Sequence, residues 1–212
     1  MLMGAVLMVN DSKKTETDLG AGPLDGIVNI SGGPQNAGIW LQESRHVGKL
    51  ILRGSPGDNN FITETNEVLG QKLPIMPNTF VRNNDQTIVW LGPDEWLITC
   101  TPGNEKSLEA DLISSLSIIH NSVTNVSDNS TIIQLSGPDA RTLLMKGCAI
   151  DVHPRVFVPG SAVQSNLAAA FVAFWQLDLE PTYNILVRAS FSTYLWNWLL
   201  DAGAEFGIHI RS

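Results

Sequence analysis

Basic residues are scarce in this chain. It carries 13 Lys and Arg against 21 Asp and Glu in 212 residues, a formal charge of −8. Electrostatic capture of nucleic acid or anionic lipid needs a basic face, and no Lys/Arg cluster is visible along the sequence. Charge of either sign is short as well, at 16% against about a quarter in average soluble proteins. With 43% hydrophobic residues this excludes global disorder, which goes with charge-rich, apolar-poor chains. Cysteine is limited to Cys100 and Cys148, too few for a disulfide framework or for a zinc site on their own. Long apolar runs are missing. Met1 to Val9 lacks a basic start and meets Asn10-Asp11-Ser12-Lys13-Lys14 directly, and Leu167 to Trp175 is too short to span a bilayer. The triplets Asn125-Val126-Ser127 and Asn129-Ser130-Thr131 carry weight as glycosylation sites only in a secreted chain. The expectation is a soluble, cytoplasmic protein with no nucleic-acid and no membrane partner.

Tryptophan, by contrast, is plentiful, at six residues. So few charges leave little to cover a body of this size, and six Trp are costly to expose. We therefore expect a large apolar surface held by a permanent partner, since obligate interfaces bury roughly 2,000–5,000 Å² and are enriched in aromatics.

Residues 1–36 read as an irregular arm, with Gly20, Gly22, Gly26, Gly32 and Gly33 among Pro23 and Pro34. Its Gly20-Ala21-Gly22-Pro23-Leu24-Asp25-Gly26 superficially resembles a dinucleotide loop. No strand precedes it, and Pro23 removes an N–H that phosphate would need, so a turn is the better reading. The rest reads as two copies of one pattern, over 37–124 and 125–212. Lys49-Leu50-Ile51-Leu52-Arg53 is a strand running into Gly54-Ser55-Pro56-Gly57-Asp58, then a helix burying Phe61, Ile62, Val68 and Leu69 and stopped by Gly70. About 82 residues later come Thr131 to Leu135, Ser136-Gly137-Pro138-Asp139 and a helix with Leu143, Leu144 and Gly147. In each copy a proline sits near the first helical turn, where its missing N–H is harmless. Strands at 87–91 and 95–99, split by Gly92-Pro93-Asp94, precede a helix with Leu108, Leu112, Ile113 and Leu116. Strands at 170–175 and 183–187 precede a helix with Phe191, Leu195, Trp198, Leu199 and Ala202. Strand–helix–strand–strand–helix–strand, twice, is a duplicated ferredoxin-like (βαββαβ) α+β body.

No catalytic constellation emerges. His46, His120, His153 and His209 lie at no metal-ligand spacing, and no H-E-x-x-H, paired C-x-x-C, G-x-S-x-G or P-loop occurs. His153 and Arg155, in Asp151-Val152-His153-Pro154-Arg155, either orient a ligand carboxylate or build a hydrogen-bonded loop corner, Arg155 as a clamp or interface contact. Asp94 and Glu95 enter a strand as neighbours and so point to opposite faces, which suits a turn better than acid–base work. Cys148 follows a helix C-terminus, whose partial negative charge disfavours a thiolate. Trp90, Trp96, Trp175, Trp196 and Trp198 read as core or interface.

Three motifs carry a resemblance: Trp90-Leu91-Gly92-Pro93-Asp94-Glu95-Trp96-Leu97-Ile98, Leu135-Ser136-Gly137-Pro138-Asp139-Ala140-Arg141, and Lys146-Gly147-Cys148-Ala149-Ile150-Asp151-Val152-His153-Pro154-Arg155-Val156-Phe157. With Leu73-Pro74, Pro77-Asn78-Thr79 and the ending Leu195 to Ala202, they resemble the gamma subunits of heterotetrameric sarcosine oxidase over roughly residues 38–207. That resemblance implies the aminomethyltransferase folate-binding fold. It implies a complex that oxidatively demethylates sarcosine to glycine, the one-carbon unit going to tetrahydrofolate or leaving as formaldehyde, with hydrogen peroxide formed from oxygen. It places FAD, covalent FMN and NAD in alpha and beta subunits and zinc in delta, with no catalytic, cofactor or metal residue in this chain and alpha as its main contact. His153, Arg155, Trp196 and Trp198 are the interface candidates. Two alternatives stay open: a gamma-like subunit of a related N-methyl amino-acid dehydrogenase, and a free-standing folate-binding protein. For the latter, Lys146-Gly147-Cys148 is similar to the Lys-Gly-Cys of iron–sulfur repair proteins, although Ile150-Asp151 replaces their following Gly-Gln.

Overall fold

The computed structural model describes residues 21–27 and 31–211. Residues 1–20 and 28–30 of the expected arm lie outside the described residues. Within the described part, Gly22 to Ile27 is a turn, in which Gly22 N donates to Asp25 Oδ2 (2.6 Å) and Asp25 N to Gly22 O (3.0 Å), so its amides serve itself rather than a phosphate, and Gly32 exchanges two backbone hydrogen bonds with Ile210 (both 2.9 Å).

The first unit runs through β2 (Gly48–Gly54), α1 (Asn59–Leu69), β3 (Phe80–Arg82), β4 (Gln86–Gly92), β5 (Glu95–Cys100), α2 (Glu105–Ser115) and β6 (Asn121–Asn125), after a leading strand β1 (Ile39–Ser44). Its sheet order is β3-β4-β5-β2-β6, all antiparallel. The second unit has β7 (Ser130–Ser136), α3 (Ala140–Met145), β8 (Ala162–Leu167), β9 (Ala170–Gln176), β10 (Tyr183–Arg188), α4 (Ala189–Gly203) and β11 (Ile208–Arg211). Its sheet order is β11-β1-β7-β10-β9-β8. In both units the first and third strands of the pattern pair at the centre, which is the ferredoxin-like arrangement expected, with an added edge strand, β3 or β8. No helix of the described residues is long and apolar enough to cross a membrane.

Strand alternation divides the interior into three cores. Leu50, Leu52, Ile88, Trp96 and Ile98 point to α1 and α2 and bury Phe61, Leu69, Leu108 and Leu112. Ile133, Leu135, Val172, Phe174, Tyr183 and Ile185 point to α3 and α4. The opposite faces meet in a third core of Val89, Leu97, Ile132, Ala162 and Trp175. The layers are therefore helix, sheet, sheet, helix. α1 begins where the Asp58 carboxylate accepts from Asn60 N and Phe61 N, and ends at Gly70 in the left-handed conformation (φ 63°) that a side chain would strain.

A reciprocal pair of hydrogen bonds ties the two sheets. Phe80 N, opening β3, donates to Gly160 O (3.2 Å), and Ala162 N, opening β8, donates to Asn78 O (2.9 Å). Asn78 (φ 60°) and Gly160 (φ 95°) both adopt left-handed backbone two residues before their edge strands. These equivalent contacts mark a pseudo-two-fold axis between the copies.

Several expectations need correction. β1 lies in the 37–124 stretch but pairs in the other sheet, antiparallel to β7 and parallel to β11, where Ile39 and Leu41 complete the second core. Leu50 and Leu52 answer to Ile133 and Leu135 by the face they present, so the copies are offset by one residue more than the motif spacing of about 82. Pro56 and Pro138 do lie near the first helical turn, just before the caps Asp58 and Asp139. On α4 the buried stripe is Ser192, Leu195, Trp196, Leu199 and Gly203, leaving Phe191 exposed, and on α2 Ile113 is exposed too.

Candidate functional site: two loops at the junction of the units

The connection from α3 to β8 is anchored at two core side chains, Val152 and Phe157. Phe157 packs against Phe174 and Tyr183, with ring centroids 5.3 and 6.3 Å away. Arg141 on α3 clamps it: its guanidinium donates to Val152 O, to Phe157 O (3.3 Å) and to Gln176 Oε1 (3.2 Å), and lies 5.8 Å over the Tyr183 ring. Burial pushes the Tyr183 hydroxyl up to about 12, so it stays neutral beside that cation. Between the anchors the chain turns outward. Asp151 Oδ1 accepts from His153 N (2.8 Å), and His153 Nδ1 accepts from Arg155 N (3.2 Å) and Arg155 Nε (3.3 Å). His153 and Arg155 thus share one exposed, internally bonded corner, and Val156 and Val158 stand exposed beside them.

The equivalent connection of the first copy, from α1 to β3, is built the same way. Leu73 N donates to Asn66 Oδ1 (2.8 Å), and the buried Trp96 Nε1 donates to Pro74 O (2.8 Å). Thr79 Oγ1 donates to Met76 O (2.7 Å). Between these ties Ile75 and Met76 are 65% and 69% exposed. The Asn78–Ala162 and Phe80–Gly160 bonds bring the two loops together.

The other two interface candidates go elsewhere. Trp196 is 1% exposed, a core residue of α4 with no surface to offer a partner. Trp198 is half-buried, its ring packed against Gly147. Trp96 and Trp175 are fully buried as well, so the exposed apolar surface is mostly aliphatic. Ile75, Met76 and Val158 were not singled out from the sequence; the signal available was apolar residues inside loops bounded by Pro74 and Pro77 and by Pro154 and Pro159.

Reactive groups are dispersed. No group of three or more His, Cys, Asp or Glu among the described residues is placed to hold a metal. Asp94 pairs with Arg53 (2.8 Å) at the β4–β5 turn. The cleft between the sheets, lined by Ile51, Leu91, Leu97 and Phe171, encloses about 210 Å³, below the roughly 300–1,000 Å³ of small-molecule pockets. Gln164 donates across it to Leu91 O (2.7 Å), and Glu95, Asn129 and Arg188 also line it. Cys100 is buried, and desolvation pushes its thiol up to about 11, whereas Cys148 is half-buried beside Ser165. A thiol reagent at pH 8 is therefore expected to label Cys148 and spare Cys100 in the folded chain, and both in denaturant. Peptide mapping that finds Cys100 labelled as fast as Cys148 contradicts this packing.

Two ferredoxin-like units joined sheet to sheet are the body found in aminomethyltransferases. The structure is similar to aminomethyltransferase T of the glycine cleavage system from Bartonella henselae (TM-score 0.60, 15% identity), covering 83% of this chain and 48% of that one, a likeness of fold alone. It is much more similar to a chain of heterotetrameric sarcosine oxidase from Corynebacterium sp. U-96, solved with pyrrole 2-carboxylate: TM-score 0.80 and 30% identity over 89% of this chain and 96% of that one. In sequence it is 31% identical over 201 residues to the sarcosine oxidase subunit gamma of Corynebacterium sp. (strain P-1), covering 94% of this chain and 97% of the relative. Residues 53–205 match the sarcosine oxidase, gamma subunit family. The chain belongs to that family.

Proposed function

We propose that the chain serves as a non-catalytic gamma subunit in a heterotetrameric, cytoplasmic sarcosine oxidase. The complex demethylates sarcosine oxidatively to glycine, passing the one-carbon unit to tetrahydrofolate or releasing formaldehyde. In this reading FAD, FMN, NAD, tetrahydrofolate and zinc belong to the alpha, beta and delta subunits, and alpha is the main contact of this chain. The observation that carries it is the match over nearly the full length of both chains, to a relative solved as part of a heterotetramer. The scattered reactive groups support it, because acid–base or nucleophilic catalysis needs partners within hydrogen-bond reach.

Purified alone, the chain is expected to elute colourless and to oxidise no sarcosine. Flavin absorbance that survives gel filtration of the lone chain overturns the non-catalytic role. Tight tetrahydrofolate binding by the lone chain, read by calorimetry, supports a free-standing folate protein instead.

A further inference from the structure

We propose that the paired loops at the junction, residues 70–79 and 146–161, form the docking face for a different subunit of the complex, one presenting an apolar surface rimmed by carboxylates. This rests on the reading of the chain as a gamma subunit. Each loop exposes two aliphatic side chains, Ile75 and Met76 in one and Val156 (59%) and Val158 (47%) in the other. Four exposed apolar side chains thus fall on two loops that backbone hydrogen bonds join at one junction, and such a concentration marks interaction sites. The loops are held from behind by Trp96 to Pro74 and by Arg141 to Val152 and Phe157, and to each other through Asn78 and Gly160. A preorganised face loses little entropy on binding.

Charge selects the occupant. Between them the two loops hold one carboxylate, Asp151, against Lys72, Lys146 and Arg155, in a chain whose overall charge is −8. Lys146 is paired with Glu205, and Asp151 caps the amide of His153. Lys72 and Arg155 are exposed with no carboxylate beside them among the described residues, whereas Arg45 and Arg53 are each paired with acids. A second copy docked through the same face would set these cations against their own equivalents, which disfavours self-association. A partner with an acidic rim satisfies them.

The test uses the co-expressed complex. Ile75→Asp combined with Val158→Asp is expected to reduce gamma retained in the assembly by roughly tenfold or more, read by native mass spectrometry, as for central interface positions. Ile118→Asp, at a 95% exposed isoleucine outside the loops, is expected to leave retention unchanged. Circular dichroism of the lone variants checks that they fold. A photo-crosslinker in place of Met76 or Val158 is the second reading, expected to attach to another subunit. Normal retention of the double variant, or crosslinks absent from both positions, overturns this face while leaving the gamma reading intact. A wild-type chain that never enters a complex overturns both.

Discussion

Trp96→Ala is expected to destabilise the chain by about 3–5 kcal/mol, a large part of the roughly 5–15 kcal/mol that holds a domain together. Trp96 is fully buried in β5, across from Leu52 on one side and Trp90 on the other, with Phe61 of α1 5.9 Å away. Alanine there leaves a cavity at the centre of the first core, where strands and helices both rely on the ring. It also removes the donor to Pro74 O, so the loop carrying Ile75 and Met76 loses its inner tie. Trp96→Phe separates the effects: it keeps most of the apolar contact but orphans the carbonyl, at about 1–3 kcal/mol. Urea denaturation followed by intrinsic fluorescence measures both. A Trp96→Ala chain as stable as wild type contradicts the packing described.

Arg141→Met is expected to lower stability by about 2–4 kcal/mol, because it strips the donors from Val152 O, Phe157 O and Gln176 Oε1 at once and buried unpaired acceptors are costly. The loss concentrates in the 151–157 loop, which then becomes sensitive to limited proteolysis. Arg141→Lys is not expected to restore it, since an ammonium cannot present the planar fork that reaches three acceptors while stacking on Tyr183. Methionine that leaves both the urea midpoint and the cleavage pattern unchanged argues that the corner is held by Val152 and Phe157 alone.

These two residues show where the sequence was informative. Trp96 opens the apolar run Trp96-Leu97-Ile98 after Gly92-Pro93-Asp94, so its strand was legible from local pattern, whereas its face was not, because the strand is buried on both sides. The duplicated strand–turn–helix around Pro56 and Pro138 was legible for the same reason. Arg141 was visible only as part of a motif, because two of its acceptors are backbone carbonyls 11 and 16 residues away, which no side-chain pattern encodes, and the third is Gln176, 35 residues away. β1 escaped because its partners, β7 and β11, are distant in sequence, and pairing across such separations leaves no local trace. The register between copies was ambiguous by one residue because β2 and β7 are apolar on both faces, and a one-residue slip then swaps core for core. On α4, Trp196 and Trp198 are two positions apart and so point nearly opposite ways. A helix with Phe191, Tyr194, Leu195, Trp196, Trp198 and Leu199 is apolar over more than half its circumference, and only tertiary packing decides that Trp196 goes inward.

Native mass spectrometry of the chain co-expressed with the other subunits tests the central claim most directly. The expected spectrum is one heterotetramer containing this chain, carrying the flavins and the sarcosine-oxidising activity, while the same chain expressed alone is colourless and inactive. A flavin-bearing, active complex that forms without this chain, with the chain itself a separate monomer, contradicts it.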